Sequence, residues 1–262
     1  MPRPEIKHYM AALLTTENLC IGYSARKPVA ANLSLTLCKG QLTSLLGPNG
    51  VGKSTLLRTL SRLQPQLAGS ITICGEPLAD LPPTKLARLV ALVLTDEVLT
   101  GGLTVFELVS MGRQPYTGFF GRLTSDDKNI VNQSITAVGI ADKADRHVAE
   151  LSDGERQKTM IAKALAQQTP IIILDEPTAF LDAAARIEIM QLLHRLATTG
   201  KAILLSTHDI DVALQLSDNL WLMNNNGLSC GTVTEIIESG KLDNLFTNSN
   251  LRFDAKAKRF VW

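Results

Sequence analysis

The sequence predicts an α/β protein with a mainly parallel sheet at its core, an antiparallel β subdomain and an inserted helical subdomain. Three observations lead there. Short apolar runs of strand length alternate with segments whose apolar residues recur at helical spacing. Hairpin signals lie on the two flanks of this pattern, and residues from about 104 to 168 carry helical signals without a convincing strand. The runs Leu42 to Leu46, Leu89 to Leu94, Ile171 to Leu174 and Ala202 to Leu205 read as buried strands, too short and too continuously apolar for half-exposed ones. Leu56, Leu57, Leu60 and Leu63 mark one face of a helix after the first run, and Ile189, Leu192, Leu193 and Leu196 mark another between the last two. Both faces of the sheet are therefore expected to be covered. Thr16 to Gly75, outside its buried run, and Leu220 to Gly231, where Asn226-Gly227 separates two apolar stretches, read as antiparallel hairpin material in a small β subdomain at one edge. Leu251 to Trp262 carries no assignable pattern. The expected organisation is a single domain over 1–262, with the sheet core and β subdomain at 1–95 and 169–262 and a helical subdomain at 96–168.

Composition narrows the function. A chain of 262 residues, 45% hydrophobic with 18 Gly and 11 Pro, is neither disordered nor fibrous and can bury a core. Lys+Arg number 26 against Asp+Glu 25, so there is no basic excess to attract nucleic acid, and no nucleic-acid partner is expected. Cys20, Cys38, Cys74 and Cys230 are scattered without a CxxC pair, which reads as reduced, mostly buried thiols rather than a metal set. Met10 to Leu14 is too brief for a signal-peptide core, and nothing later approaches the roughly 18 apolar residues of a membrane span. The chain is expected in the cytoplasm.

The chemistry begins at Gly47-Pro48-Asn49-Gly50-Val51-Gly52-Lys53-Ser54-Thr55, between a strand and a helix. Gly, four residues, then Gly-Lys-Ser is the phosphate-loop pattern: the glycines let backbone N–H groups curl around phosphates, and the helix start adds its positive dipole end. The fold class thereby becomes that of a phosphate-loop NTPase. Lys53 would meet the β- and γ-phosphates and Ser54 would ligate Mg²⁺. Ile171 to Leu174 ends in Asp175-Glu176. Beside a phosphate loop, Asp175 would hold the Mg²⁺ shell, and Glu176 would act as general base on the attacking water. Leu151-Ser152-Asp153-Gly154-Glu155 opens a helix whose inward positions are Met160, Ile161, Ala164 and Leu165, and Ser152 with Glu155 forms a capping box.

This last segment resembles the signature motif of the ABC ATPases, and the resemblance extends in the family's order from about Leu14 to Gly231. It implies that Ser152 and Gly154 bind the γ-phosphate held by a second subunit. Tyr23 matches the aromatic that stacks on adenine, Asp182 the loop linking two active sites across a dimer, and His208 the switch histidine that senses the γ-phosphate. Among these ATPases the chain looks most like the subunits that energise uptake of iron-siderophores, haem and cobalamin. Leu103 to Arg113 with Pro115 and Tyr116, and Ala164 to Gln167 continuing to Phe180-Leu181-Asp182, carry that likeness. Two positions depart from the pattern. Asp153 stands where the family most often has Gly, and its carboxylate is expected to point away from the nucleotide. Thr95 stands where the family's Q-loop has Gln.

The resemblance implies ATP hydrolysis with Mg²⁺ by two copies of the chain. They would sit peripherally on the cytoplasmic face of the cell membrane, bound to an integral permease near residues 96 to 120 and served indirectly by a substrate-binding protein. The competing reading is a soluble ABC ATPase of iron-sulfur cluster assembly or of another non-transport machine.

Overall fold

The computed structural model describes residues 11–94, 102–118, 121–242, 252–254 and 259–261. Strand β1 (Ala12–Ile21) pairs antiparallel with β2 (Ala30–Leu33) and β3 (Thr36–Cys38). The chain then enters a second sheet as β4 (Leu42–Leu46), passes through the phosphate loop and forms α1 (Lys53–Leu60). It returns to β1 as β5 (Ala68–Ile73), which turns into the short β6 (Glu76–Pro77). After α2 (Pro83–Leu89) and β7 (Val90–Val93) come three helices, α3 (Val105–Ser110), α4 (Ser125–Ala137) and α5 (Asp153–Ala166). The alternation resumes with β8 (Ile171–Leu174), α6 (Ala183–Thr198), β9 (Ala202–Ser206), α7 (Ile210–Leu216) and β10 (Asn219–Asn224). Strand β11 (Gly227–Thr232), α8 (Val233–Glu238) and a two-stranded hairpin of β12 (Arg252–Asp254) and β13 (Arg259–Val261) follow.

The second sheet has six strands in the order β11-β10-β4-β9-β8-β7, parallel throughout except for β11. Successive side chains of a strand point to opposite faces, and the two apolar clusters divide on that rule. Ile172 and Leu174 of β8 join Ile203 and Leu205 of β9 in a cluster with α3, α4, α5 and α6. Ile171, Ile173, Ala202 and Leu204 join Leu56, Leu57 and Leu60 of α1 and the inward residues of the β1 sheet. A third, smaller cluster closes α7 and α8 over Leu46, Leu220 and Leu222. Every residue of β4, β8 and β9 is buried, as expected for parallel strands covered on both sides.

The helices α3, α4 and α5 each begin with a capping box, formed by Thr104 with Glu107, Thr124 with Asp127 and Ser152 with Glu155. One buried cation, just past the end of α3, ties the first turn of α4 to the last turn of α5. Arg113 Nε donates to Asp127 Oδ1 at 2.9 Å, and its Nη1 donates to the carbonyl of Ala166 at 2.8 Å and to Gln168 Oε1 at 2.9 Å. The guanidinium also lies 4.0 Å from the Tyr116 ring centroid.

Three expectations are corrected. The stretch from Leu220 to Gly231 is a hairpin, but β10 also pairs in parallel with β4, so it extends the main sheet rather than the β subdomain. Leu63 is exposed, because α1 ends in a Schellman turn: Arg62 takes φ +60, and the amides of Arg62 and Leu63 donate to the carbonyls of Thr59 and Arg58. That left-handed residue swings Leu63 out of the helical face. The cysteines are all free, but Cys74 and Cys230 are exposed and the other two half-buried, since they lie on turns and outward strand positions.

Asp127 yields a test. Hydrogen bonds from the Thr124 amide and hydroxyl, and then from Arg113, hold its carboxyl below its usual 3.8. A lowered folded-state value means that the native chain binds fewer protons, so Asp127 contributes stability above about pH 4 and loses it as the pH falls through the lowered value. Urea unfolding should therefore show a smaller loss of stability between about pH 5 and 3 in Asp127→Asn than in the wild type. At neutral pH, Asp127→Ala should cost about 3 to 5 kcal/mol by leaving the buried Arg113 without its counter-charge; identical acid slopes would contradict this account.

Candidate functional site

The carboxyl ends of β4, β9 and β8, adjacent in the sheet, place the three polar segments side by side. The loop after β4 turns through Gly50 at φ +76 and Gly52 at φ +112, conformations that favour glycine. Space makes a second demand. A Cβ on Gly47 would meet the Met223 carbonyl oxygen, and one on Gly52 would meet Val29 Cγ1 and come within 3.1 Å of Met223 Cε. Lys53 opens α1 with its side chain buried. Its Nζ donates to the carbonyls of Gly47 and Pro48 at 2.8 and 3.1 Å and lies 3.4 Å from His208 Nε2. Burial pushes the Lys53 ammonium below its usual value, opposed by the negative charges of Glu176 and Asp175.

Strand β8 delivers Asp175, buried, and Glu176, which takes φ +48. Ser206, the last residue of β9, joins the two: its Oγ donates to Asp175 Oδ1 at 2.7 Å and accepts from the Glu176 amide at 2.8 Å. Two residues on, His208 Nε2 lies 2.7 Å from Glu176 Oε1. Lys53, Asp175, Glu176 and His208 thus share one locality, although they come from three separate segments. A cleft of about 250 Å³ opens there between Gly47, Pro48 and Asn49 on one side and Thr207, His208 and Ile210 on the other. Sequence reading missed Ser206; its only signal is a hydroxyl closing an apolar run one residue before Thr207.

Tyr23 is exposed beside the start of α1, its hydroxyl 3.4 Å from Thr55 Oγ1. Ser54 is half-buried on the same turn. Ser152 caps α5, accepting from the Glu155 amide at 3.3 Å while its hydroxyl donates to Glu155 Oε2 at 3.0 Å. Asp153 pairs with Arg156 of its own helix at 3.0 Å. Gly154 faces Ala185 at the start of α6, the helix that Asp182 caps through the Ala185 amide at 2.8 Å. Ser152, Gly154 and Asp182 therefore gather around Ala185 at the start of α6. Thr95 lies outside the described residues.

Among the described residues no group of three or more His, Cys, Asp or Glu is arranged to hold a metal. Ser54 follows Lys53, on which the Asp175 charge acts, and the Ser54 hydroxyl and Asp175 carboxylate are hard oxygen donors of the kind that suit Mg²⁺, an ion that keeps several waters and takes further oxygens from substrate phosphates.

Residues 30–179 match the ABC transporter family model, and the chain belongs to that family. It is 39% identical to the iron(3+)-hydroxamate import ATP-binding protein FhuC of Bacillus subtilis, over 89% of this chain and 87% of that one. It is 35% identical to the ferric enterobactin transport ATP-binding protein FepC of Escherichia coli, over 90% and 87%. In structure it resembles cbiO1 of Clostridium perfringens, part of the ABC transporter complex cbiONQ, with a TM-score of 0.77 and 27% identity over 90% of this chain and 94% of that one. Among the described residues no helix is long and apolar enough to cross a membrane.

The packing of the loop can be tested without nucleotide. Gly52→Ala should destabilise the fold by about 1 to 3 kcal/mol from its left-handed backbone, with a further loss from contact with Val29. Combining it with Val29→Ala should recover the second part only. Urea midpoints of the four proteins measure this, and a Gly52→Ala midpoint equal to that of the wild type would contradict the geometry.

Proposed function

We propose that this chain is the ATP-hydrolysing subunit that energises import of an iron chelate, haem or cobalamin. Two copies would act on the cytoplasmic face of the cell membrane, bound to an integral permease to which a substrate-binding protein delivers cargo. The observation that carries the reading is the convergence of Lys53, Asp175, Glu176 and His208 at three adjacent strand ends. The relatives named for iron(3+)-hydroxamate and ferric enterobactin support the cargo class.

In this mechanism the amides of Asn49, Gly50 and Gly52 and the Lys53 ammonium bind the phosphates, with Lys53 exchanging its two loop carbonyls for phosphate oxygens. Tyr23 offers its exposed ring to adenine. Ser54 and Asp175 would hold Mg²⁺, which when bound neutralises charge on the phosphates. Glu176 takes the proton of the attacking water. His208 Nε2 serves either Glu176 at 2.7 Å or Lys53 at 3.4 Å, and the shorter contact favours an Nε2–H that donates to the carboxylate and orients it.

Each copy's Ser152 and Gly154 would serve the site of the other copy. The Ser152 hydroxyl would turn its proton from Glu155 to the γ-phosphate, and the Gly154 amide, in the first turn of α5, has no partner within the helix. Pairing of Asp153 with Arg156 lowers the repulsion its carboxylate would bring to that phosphate. Closure on ATP and reopening after hydrolysis then convert the two affinities into motion of the permease.

Glu176→Gln should bind ATP but not turn it over, and should elute as a dimer from a sizing column at saturating MgATP. A monomer under those conditions would contradict the shared site. With its permease in vesicles, the wild-type ATPase should be stimulated by a binding protein loaded with an iron chelate, haem or cobalamin. Stimulation by a sugar- or amino-acid-loaded binding protein and by none of the three would overturn the cargo class.

A further inference from the structure

The loop between β8 and α6 carries Glu176 and Asp182, and the loop between β9 and α7 carries His208. Several side-chain contacts join these loops, two of them between charged or titratable groups. The first is the contact between His208 and Glu176. The second is Arg186, in the first turn of α6, whose Nε donates to the Leu181 carbonyl at 2.7 Å and whose Nη1 donates to Asp209 Oδ1 at 3.0 Å. The other carboxylate oxygen of Asp209 accepts from Thr178 Oγ1 at 3.4 Å, and its amide donates to Thr207 Oγ1 at 3.1 Å. A cleft of about 150 Å³ lies between these two contacts, with Glu176, Phe180 and His208 among its walls.

A half-exposed ion pair contributes little stability by itself. Its geometry is more informative. A guanidinium holds its N–H groups in one rigid plane, so a single residue fixes the spacing between the Leu181 carbonyl and the Asp209 carboxylate. Asp209 follows His208 directly, and Leu181 follows Phe180. Phe180 at φ +62 and Glu176 at φ +48 are non-glycine residues in the left-handed region, a conformation that surrounding contacts must maintain. The bond from Arg186 to Leu181 is such a contact.

We propose that Arg186 is a positioning residue. It keeps the loop of Glu176 and Asp182 in register with the loop of His208, so that His208 meets Glu176 and a displacement at Asp182 is felt by the hydrolytic pair. This rests on the proposed roles of Glu176 and His208.

The test compares Arg186→Gln, Asp209→Asn, the double variant and Arg186→Lys in the full-length chain. Steady-state ATPase of Arg186→Gln and Asp209→Asn should fall about tenfold in kcat with KM for ATP within about twofold, and the double variant should be no worse than either. Arg186→Lys keeps the charge without the fork and should remain impaired. Unchanged kcat, multiplicative losses or full activity in Arg186→Lys would each overturn the proposal. Hydrogen exchange supplies a readout independent of turnover: amides of 177–182 and 207–210 should both exchange faster in Arg186→Gln. Acceleration in one loop alone, or in neither, would contradict the bridge. A wild-type chain without ATPase would refute the proposed function, and exchange would still decide whether Arg186 joins the loops.

Discussion

Parallel pairing places Leu45 of β4 opposite Ser206 of β9 and Leu174 of β8 opposite Leu205, so the residues that follow each strand emerge at one edge of the sheet. The phosphate loop, Asp175 with Glu176, and Thr207 with His208 all depend on that register. Apolar residues on both faces hold it: Ile171 and Ile173 sit in one core, Ile172 and Leu174 in the other. A slip of one residue would exchange the faces of every side chain in β8 and carry Asp175 away from the Ser206 hydroxyl. Burial on two sides thus sets atomic positions at the site, not only stability.

The site concentrates charge where water is scarce. Lys53 is buried, and the two acids beside it only partly offset the unfavourable desolvation of its ammonium. Hydrogen bonds to two loop carbonyls keep it aimed across the loop. Ser206 performs a similar service for the acids, accepting from one backbone amide and donating to one carboxylate. The acids are thus held before a polyphosphate arrives, Lys53 would exchange its two carbonyls for phosphate oxygens, and the electrostatic effect of such groups is larger than it would be in water.

Local chemistry was legible in the sequence. The four buried strands, the phosphate loop and the Ser152–Glu155 box depend on residues within a few positions of one another, and the structure has all of them. Contacts across the chain were not legible. The pairing of β10 with β4 joins residues more than a hundred positions apart, so Asn226-Gly227 announced the hairpin and not the sheet it extends. Leu63 fitted a helical period, but Arg62 adopts a left-handed conformation that no strong residue preference announces. Ser206 and Arg186 act through partners on other segments, and neither type of residue is unusual at its own position. The residue at the Q-loop position, Thr95, lies outside the described residues.

Ser152, Gly154 and Asp182 gather around Ala185, and the account assigns Ser152 and Gly154 to the site of a second copy. Complementation measures this directly. A Lys53→Ala chain and a Ser152→Ala chain, each inactive alone, would be mixed in equal amounts and assayed for ATP turnover. In random two-fold pairs about one site in four combines an intact phosphate loop with an intact signature helix from the other copy. The account predicts recovery to about a quarter of wild-type turnover, and no recovery on mixing would contradict it.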